Sequence, residues 1–321
     1  MFDANRYEYS DDYVSVKSPY KPNLINEIKE KNGFHFFESL DKLLRNEING
    51  NSNGNFGLRY KNIFIRDISN EIKLKNWVDI EEKYYAELIK CHEGEKDDLI
   101  EKLNKEFYEL QTLLENYLFE EQSKKTISRN AKISDSIYSP LCHGDFIGKL
   151  GEDDTLKNIL FLNFNYTSTL ELYTDNNFTK TQVINIHGKL KVSDNPIIFG
   201  YGDELDEQYS IIEKKNNNDF FTNIKSFKYS MTDNYKDMLR FIDSDKYQVF
   251  VMGHSCGLSD RTLLNTLFEH EHCKSIKIFF YIDKNGNDNY NETYMNLSRN
   301  FKKKQKMRKI VVSRTSSISC F

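Results

Sequence analysis

An apolar run of strand type, Ile159-Leu160-Phe161-Leu162, leads directly into the polar motif Asn163-Phe164-Asn165-Tyr166-Thr167. The same arrangement occurs twice more, where Val183–Ile186 precedes His187-Gly188 and Val249–Met252 precedes Gly253–Asp260. Polar residues at the carboxyl ends of strands in an open α/β sheet face one crevice, where ligands of this fold class bind. We therefore expect the three separated segments to build one site.

Short apolar runs alternate with helical patterns after residue 155, which is typical of a parallel sheet with helices on its faces. We predict strands near 157–163, 182–187, 196–199, 247–252 and 276–282. Helices are predicted near 168–173, 232–243 and 258–270, and another helix from Asn291 precedes a strand-like Ile310-Val311-Val312. The expected class is α/β, with a Rossmann-like parallel sheet and helices on both of its faces.

The N-terminal half differs, because its apolar residues recur at helical spacing. This spacing predicts helices over Phe36–Leu44 and Trp77–Leu88, and one long charged helix over Leu99–Leu118. We therefore predict two domains, a mainly helical region over residues 1–150 and an α/β core over residues 151–321. The segment Gln122–Asp154 is predicted to connect them.

Composition excludes several classes of protein. A chain of 321 residues can bury a sizeable core. Its net charge of −4 gives no electrostatic footprint for nucleic acid at the level of the whole chain. No apolar stretch approaches the roughly 20 residues that span a bilayer, and Met1 is not followed by a signal-type segment. Five scattered cysteines do not describe a disulfide framework, so we expect a cytoplasmic protein with reduced thiols.

The three motifs resemble those of the AbiH family of bacteriophage abortive-infection proteins and, more remotely, sirtuin-like NAD-consuming domains. The family pattern F-N-Y-T, H-I-H-G and i-G-H-S-l-x-x-x-D corresponds to Phe164–Thr167, Asn185–Gly188 and Met252–Asp260, in the same order. The resemblance covers roughly residues 155–321, with weaker support from Trp77–Glu81. It implies an antiviral defence protein that senses a phage-derived trigger and binds a nucleotide.

The amino terminus departs from this family pattern. Family members open with a hydrophobic strand that runs into G-N-G-F-D, a glycine turn that would receive dinucleotide phosphates. Here Met1–Tyr20 is polar and tyrosine-rich, and Asn32-Gly33-Phe34 follows a segment, Glu27–Lys31, with four charges around Ile28. Two interpretations stay open: the reading frame begins upstream, or this member has lost its phosphate loop.

Asn165 corresponds, within the resemblance, to the Asn of the sirtuin-like T-N-Y-D pattern, which lies beside the nicotinamide ribose. Thr167 stands in the place of the Asp in that pattern, so a hydroxyl replaces a carboxylate. Taken alone, Asn and Thr between a strand and a helix are also typical helix caps. The resemblance makes Asn165 a catalytic candidate, and Tyr166 and Thr167 candidates for ligand binding.

His187 is the second catalytic candidate. It resembles the His of the sirtuin-like H-G motif, which acts as a general base on a ribose hydroxyl, and Gly188 would contact the ligand. Imidazole suits this task because its unperturbed pKa near 6.5 lets it accept a proton at neutral pH. The alternative is a histidine that is simply satisfied by hydrogen bonds in the core.

The third motif offers groups that suit a nucleotide, namely Gly253, His254, Ser255 and Asp260. Backbone N–H groups at a helix start favour an anion, and Asp260 either interacts with the helix dipole, orders the loop or binds ligand. Gly253–Gly257 also matches the G-x-S-x-G spacing of a serine nucleophile. Only His270 and His272 follow it, both at the end of the next predicted helix, which disfavours a serine hydrolase.

The segment Glu269-His270-Glu271-His272-Cys273 is rich in metal-binding residue types. Consecutive positions on a helix do not share a face, so at most two of these side chains converge. A solvated helix end is the preferred interpretation, and no metal is predicted.

The resulting hypothesis is an anti-phage protein that hydrolyses the N-glycosidic bond of NAD or a related nucleotide, with NAD as substrate and no cofactor. One alternative is a nucleotide-sensing or scaffold protein that binds without reacting, and the missing glycine turn favours it. A second alternative is a toxin acting on RNA, although the sequence shows no basic groove. Self-association into a homo-oligomer stays open.

Overall fold

The computed structural model describes residues 7–10, 14–18, 57–60, 62–68, 79–94, 98–152, 154–174 and 180–319. The chain forms two compact units, Met1–Lys124 and Lys125–Phe321. The boundary between the two units follows Lys124, nearer the amino terminus than the predicted domain boundary at residue 150. The assignment of domains stays a prediction. Among the described residues, no helix is long and apolar enough to cross a bilayer.

The first unit contains a small antiparallel sheet and helices. Strands β1 (Tyr7–Ser10), β2 (Val14–Ser18) and β3 (Gly57–Tyr60) pair in the order β1-β2-β3. Helices α1 (63–68), α2 (Ile80–Glu93) and α3 (Asp98–Lys124) follow. Helices α2 and α3 confirm the helical prediction, whereas the three strands were not predicted. The predicted helix over Phe36–Leu44 lies outside the described residues, as does Trp77.

Local chemistry explains where α2 begins and how α2 and α3 pack. The side chain of Asp79 accepts hydrogen bonds from the backbone N–H groups of Glu81 and Glu82, which caps the helix. The predicted apolar spacing places Leu88 of α2 and Phe107 of α3 in the core, and both are fully buried. Burial of this stripe is the main source of stability for such helices.

The second unit alternates strands and helices, as predicted. Its strands are β4 (Asn158–Asn163), β5 (Lys180–Asn185), β6 (Tyr247–Met252), β7 (Cys273–Phe280) and β8 (Ile318–Ser319). Its α-helices are α4 (Ala131–Ile137), α5 (Glu207–Glu213), α6 (Lys225–Lys228), α7 (Asn234–Ser244), α8 (Arg261–Glu269), α9 (Tyr290–Arg299) and α10 (Lys304–Ile310). Short 3-10 helices occupy His143–Asp145, Ser168–Tyr173, Asn218–Phe221, Tyr229–Met231, Leu258–Asp260 and Arg314–Ser316.

The strands of this unit are parallel, which confirms the α/β class. β4 pairs with β5 from Asn158↔Lys180 to Asn163↔Asn185. Separately, β7 pairs with β6 on one side and with β8 on the other. The strands therefore form two separate parallel sheets, and the Rossmann-like arrangement of one continuous sheet stays a prediction. The core lies around β7, where Ile276 and Ile278 are fully buried beside Leu263 and Phe268 of α8.

The strand predicted over 196–199 is wrong. Ile197, Ile198 and Phe199 form a buried loop, in which the N–H of Ile198 donates to the carbonyl of His187 at 2.8 Å. This run is apolar because it covers the core, and burial alone does not distinguish a loop from a strand. At the carboxyl terminus, Val311 makes only an isolated bridge to Ile276, and β8 was not predicted.

Candidate functional site

The residues that follow β4, β5 and β6 meet at one place. The ring of Phe164, after β4, lies 5.2 Å from the ring of His187, after β5, between centroids. The same phenyl ring lies 4.2 Å from the ring of His254, after β6. The carboxyl ends of three parallel strands thus bring together the three motifs, as is usual for ligand sites in this class of fold.

Asp260 is the centre of this cluster. Its Oδ1 lies 3.0 Å from Nε2 of His187 and 2.8 Å from Nζ of Lys225, and its Oδ2 lies 3.4 Å from Nε2 of His254. Asp260 occupies the position before α8, but its side chain makes no capping hydrogen bond. The carboxylate therefore joins two histidines and a lysine and does not cap the helix.

The surroundings of Asp260 keep it ionised. Burial alone would raise the pKa of this carboxyl, but the charge of Lys225 and hydrogen bonds from His187 and His254 hold the pKa well below its usual range. Lys225 is itself fully buried, so its ammonium group and the carboxylate compensate each other in a low-dielectric interior. At neutral pH the site contains a fixed negative charge against which the histidines are oriented.

His187 has one ring nitrogen engaged and one available. Its Nε2 faces Asp260, and the hydroxyl of Tyr229 lies 3.4 Å from the same nitrogen. Because a carboxylate only accepts hydrogen bonds, this geometry assigns the imidazole hydrogen to Nε2. Within the described part of the chain, no group hydrogen-bonds to Nδ1, which is left available to a ligand. The ring is only 4% exposed and lies between Phe164 and Tyr229.

Nε2 of His254 also faces Asp260, but here a backbone hydrogen bond fixes the ring. Its Nδ1 accepts a hydrogen bond from the backbone N–H of Cys256 at 2.9 Å, so Nε2 carries the hydrogen that points to Asp260. Cys256 is buried with a positive φ of 54°. Burial and the nearby charge of Asp260 raise the pKa of its thiol to about 12, so Cys256 is not a thiolate nucleophile at neutral pH.

The turn after β4 leaves Asn165 facing outward. Asn163 fixes this turn, because its side chain donates to Asn185 Oδ1 at 2.9 Å and accepts from the N–H of Asn165 at 3.1 Å. The side chain of Asn165 is exposed and makes no cap, while Thr167 precedes the 3-10 helix without a capping hydrogen bond. The hydroxyl of Tyr166 donates to the carbonyl of Ile198 at 3.2 Å.

Gly188 and Gly253 both have left-handed backbones but different surroundings. Gly188 has a φ of 80°, and a Cβ there would lie 2.1 Å from the carbonyl oxygen of Pro196. Gly253 has a φ of 70° and is exposed, with no atom within 4 Å of a Cβ. Gly188 thus lets the chain pass closely behind His187, whereas Gly253 leaves open space at the site. Ser255 is also exposed, and its carbonyl accepts from Asn296 at 3.0 Å.

Sequence reasoning missed Lys225 and Tyr229. Both lie in the stretch 205–229, where no periodic pattern predicted an element, and a lysine there is ordinarily a surface residue. Asn163 was assigned to the end of a strand and given no role. No local signal in the sequence identifies Lys225, because its burial depends on the bridge between Ile224 and Tyr201 and on its partner 35 positions away.

The residues of the two other candidate sites, a serine hydrolase and a metal site, do not lie together. His270 Nε2 lies 3.0 Å from Asp243 Oδ1, and His272 Nδ1 lies 3.1 Å from the carbonyl oxygen of Ile242. Both histidines are therefore bound to the end of α7, and neither hydrogen-bonds Ser255. Among the described residues, no three His, Cys, Asp or Glu side chains are grouped so as to hold a metal ion.

The fold and site define an α/β protein whose parallel strands end at a buried aspartate, histidine and lysine cluster. A family model described as "Bacteriophage abortive infection AbiH" matches residues 7–282. The chain belongs to this AbiH family, and its membership supports a role in bacteriophage abortive infection. No curated protein matches the chain, and no solved structure does.

Proposed function

We propose that this site hydrolyses the N-glycosidic bond of NAD or a related nucleotide during phage infection. The observation that carries the proposal is the contact of His187: Nε2 lies 3.0 Å from Oδ1 of Asp260, while no described group hydrogen-bonds to Nδ1. A histidine oriented by a carboxylate is a recurrent general base, because the carboxylate fixes the tautomer and stabilises the imidazolium that forms.

The reaction assigns a separate task to each group. Asn165 positions the ribose and a water molecule, and Nδ1 of His187 accepts the proton of a ribose hydroxyl. Water attacks the anomeric carbon, the carbon–nitrogen bond breaks, and its electron pair neutralises the pyridinium of the departing nicotinamide. One proton of the attacking water leaves to solvent, Nδ1 of His187 returns its proton to the ribose oxygen, and ADP-ribose is the other product. Asp260, held by Lys225, offsets the positive charge on the imidazole.

The loop after β6 supplies the nucleotide contacts in this proposal. Gly253 is exposed with a left-handed backbone, so its peptide groups are open to a ligand. The exposed Ser255 offers a hydroxyl beside them. These groups suit the phosphates and ribose hydroxyls of a dinucleotide, which take hydrogen bonds from backbone N–H and hydroxyl groups.

A second candidate function is nucleotide binding without reaction. It is favoured by the burial of His187, whose ring is only 4% exposed. It is also favoured by the lining of a cavity of about 1640 Å³ that lies beside the cluster. The lining includes Asn165, Thr167, Gly253 and His254 but not His187. In this case the buried cluster stabilises the strand ends, and the exposed residues alone bind the nucleotide.

The test is turnover by the purified protein. The chain is incubated with NAD and released nicotinamide is measured by chromatography, for the unmodified protein, His187→Ala and His143→Ala. His143 is exposed and lies outside the cluster, so it is the matched control. We expect nicotinamide release by the unmodified protein and by His143→Ala, and loss of at least about 100-fold in His187→Ala. NAD binding by all three proteins without release would establish the binding function.

A further inference from the structure

The left-handed backbone of Cys256 lies between two peptide groups that are both held by the same helix. Cys256 has a φ of 54°, a conformation that residues with a Cβ rarely adopt. The carbonyl of Ser255, in the preceding peptide, accepts a hydrogen bond from Nδ2 of Asn296 at 3.0 Å. The carbonyl of Cys256, in the following peptide, accepts one from Nδ2 of Asn300 at 2.9 Å. Because the orientations of these two peptides determine φ and ψ of Cys256, the two asparagines fix its backbone.

Asn296 and Asn300 form an asparagine pair at the carboxyl end of α9. Their spacing of four residues places them on one face of the helix, and Nδ2 of Asn300 also donates to the carbonyl of Asn296 at 3.0 Å. Carbonyl oxygens only accept hydrogen bonds, so these contacts assign the amino group of each amide to the side of the loop. Arg299 donates to Oδ1 of Asn296, which is consistent with the same orientation.

The end of α9 that carries the asparagine pair is anchored in the core. Leu297 is fully buried, and the ring of Phe301 stacks on the ring of Phe268 in α8, with centroids 5.7 Å apart. Nδ2 of Asn265, also in α8, donates to the carbonyl of Asn300 at 2.8 Å. Asn300 is itself fully buried. The asparagine pair therefore holds the loop against two helices that are packed on each other.

The peptide between Ser255 and Cys256 connects this pair to the candidate site. It is a trans peptide, so its carbonyl and its N–H point in opposite directions. The carbonyl accepts from Asn296 on one side, and the N–H donates to Nδ1 of His254 at 2.9 Å on the other. Nε2 of His254 in turn faces Asp260. One peptide group thus links α9 to the imidazole of His254.

We propose that Asn296 and Asn300 are positioning residues, which hold the 253–257 loop in its ligand-binding conformation by fixing the left-handed backbone of Cys256. A residue in such a conformation persists only where the surrounding structure determines it, and such residues cluster at functional sites. Both asparagines lie beyond residues 7–282, the part of the chain that the family model matches, so family membership does not assign them this role.

The loop is expected to relax without the asparagine pair. When its flanking carbonyls are released, Cys256 can leave the left-handed region, which turns its N–H away from His254. The exposed groups of Gly253 and Ser255 then have no single arrangement, and a ligand must order them when it binds. This effect on binding rests on the proposed function, which assigns the nucleotide contacts to these two residues, whereas the contact of His254 does not.

The expected defect in the reaction lies in binding and not in chemistry. His187 keeps its contact with Asp260, because Lys225 holds that carboxylate from α6 and not from the loop. The group that accepts the proton therefore stays in place, while the loop that binds the nucleotide does not. A change that weakens binding equally in the ground state and the transition state raises KM and leaves kcat unchanged.

The experiment compares Asn296→Asp with Asn291→Asp. Aspartate at position 296 keeps the oxygen to which Arg299 donates, but replaces the Nδ2 donor with an oxygen that repels the carbonyl of Ser255. Asn291 is exposed near the opposite end of the same helix, so the change there adds the same charge away from the loop. Asn296 is only partly buried, so we expect both variants to fold, which thermal unfolding checks.

The first measurement is the NMR signal of Nδ1 of His254 in protein with isotope-labelled histidine, assigned from its absence in His254→Gln. The nitrogen shift depends on whether Nδ1 accepts a hydrogen bond, so it reports the contact with Cys256. We expect this signal to move in Asn296→Asp and to stay in place in Asn291→Asp. An unchanged signal in folded Asn296→Asp would overturn the proposal.

Asn300→Leu extends this measurement to the buried asparagine. Leucine is similar in size and cannot donate a hydrogen bond, so the change removes the donor without adding a charge. We expect the Nδ1 signal of His254 to move as it does in Asn296→Asp, and an unchanged signal would overturn the role of Asn300. If Asn300→Leu does not fold, Asn296→Asp decides the outcome.

The second measurement is the steady-state kinetics of nicotinamide release from NAD. We expect KM to rise about tenfold in Asn296→Asp with kcat within about threefold, and both constants to be unchanged in Asn291→Asp. A merely structural role would lower kcat through loss of active protein and leave KM unchanged, which would overturn the positioning role. If the unmodified protein releases no nicotinamide, the proposed function fails, while the signal of His254 still tests the asparagine pair.

Discussion

Nζ of Lys225 lies 2.8 Å from Oδ1 of Asp260, and both side chains are buried. The pair joins α6 to the 3-10 helix that precedes α8, two segments that are distant in sequence. Because Asp260 also faces His187 and His254, the lysine sets the charge of the whole cluster. An aspartate without this lysine would hold its negative charge in the interior with only histidines to compensate it.

Replacement of Lys225 by Met tests this pairing. Removing one partner of a buried ion pair leaves an uncompensated charge, which typically costs about 3–5 kcal/mol. We expect a loss of this size in the free energy of unfolding measured with urea. Lys236→Met is the control, because its ion pair with Asp233 is exposed and we expect little change. Similar stability of the two variants would contradict a structural role for Lys225.

The dependence of stability on pH tests the ionised state of Asp260. Its pKa is lower in the folded protein than the usual 3.8, so the unfolded chain binds more protons as the pH falls through that value. The stabilisation is therefore complete above this range and is lost as the pH falls toward the folded pKa. We expect the advantage of the unmodified protein over Asp260→Asn in urea unfolding to shrink as the pH falls below about 4. An advantage that instead grows as the pH falls below about 4 has the opposite sign and would contradict the assignment.

A second buried ion pair gives an independent prediction. Nζ of Lys277 lies 3.0 Å from Oδ2 of Asp145, which also accepts from Gln248 at 3.0 Å. This contact holds the 3-10 helix at residues 143–145 against β6 and β7. We expect Asp145→Ala to lower the free energy of unfolding by about 3–5 kcal/mol. Asp245→Ala, at the exposed pair with Lys157, is the control and should change stability little; equal losses would contradict the prediction.

The two left-handed glycines form a matched pair. Alanine at position 253 meets no atom within 4 Å, so Gly253→Ala should cost only the left-handed backbone penalty of about 1–2 kcal/mol. Alanine at position 188 adds a contact of 2.1 Å with the carbonyl oxygen of Pro196. We expect Gly188→Ala to be the more destabilising change in thermal unfolding. A larger loss in Gly253→Ala would show that the backbone behind His187 is not closely packed.

Periodic patterns predicted the fold where burial and secondary structure agree. The predicted strand at 247–252 matches β6, and the helical spacing over Leu99–Leu118 lies within α3. The meeting of Phe164, His187 and His254 was also predictable, because parallel strands place their carboxyl ends at one edge. These features depend on local sequence and on a general rule of topology.

Features that depend on tertiary contacts were not predictable. The apolar run Ile197–Phe199 covers the core as a loop, and the sequence does not distinguish this from a strand. Lys225 is buried in a pair with Asp260, and Asp145 is buried in a pair with Lys277. The sequence around a charged residue looks the same whether its side chain lies on the surface or in a buried ion pair. Its burial can therefore be predicted only when its partner is already known.

The most direct test of NAD hydrolysis by this protein is the cellular content of NAD through a phage infection, measured by mass spectrometry. Bacteria express the unmodified chain, His187→Ala or the control His143→Ala. We expect NAD to fall, with nicotinamide and ADP-ribose appearing, in cells with the unmodified chain and the control, and NAD to stay constant with His187→Ala. Steady NAD in all three strains while the unmodified chain still protects them would contradict NAD hydrolysis.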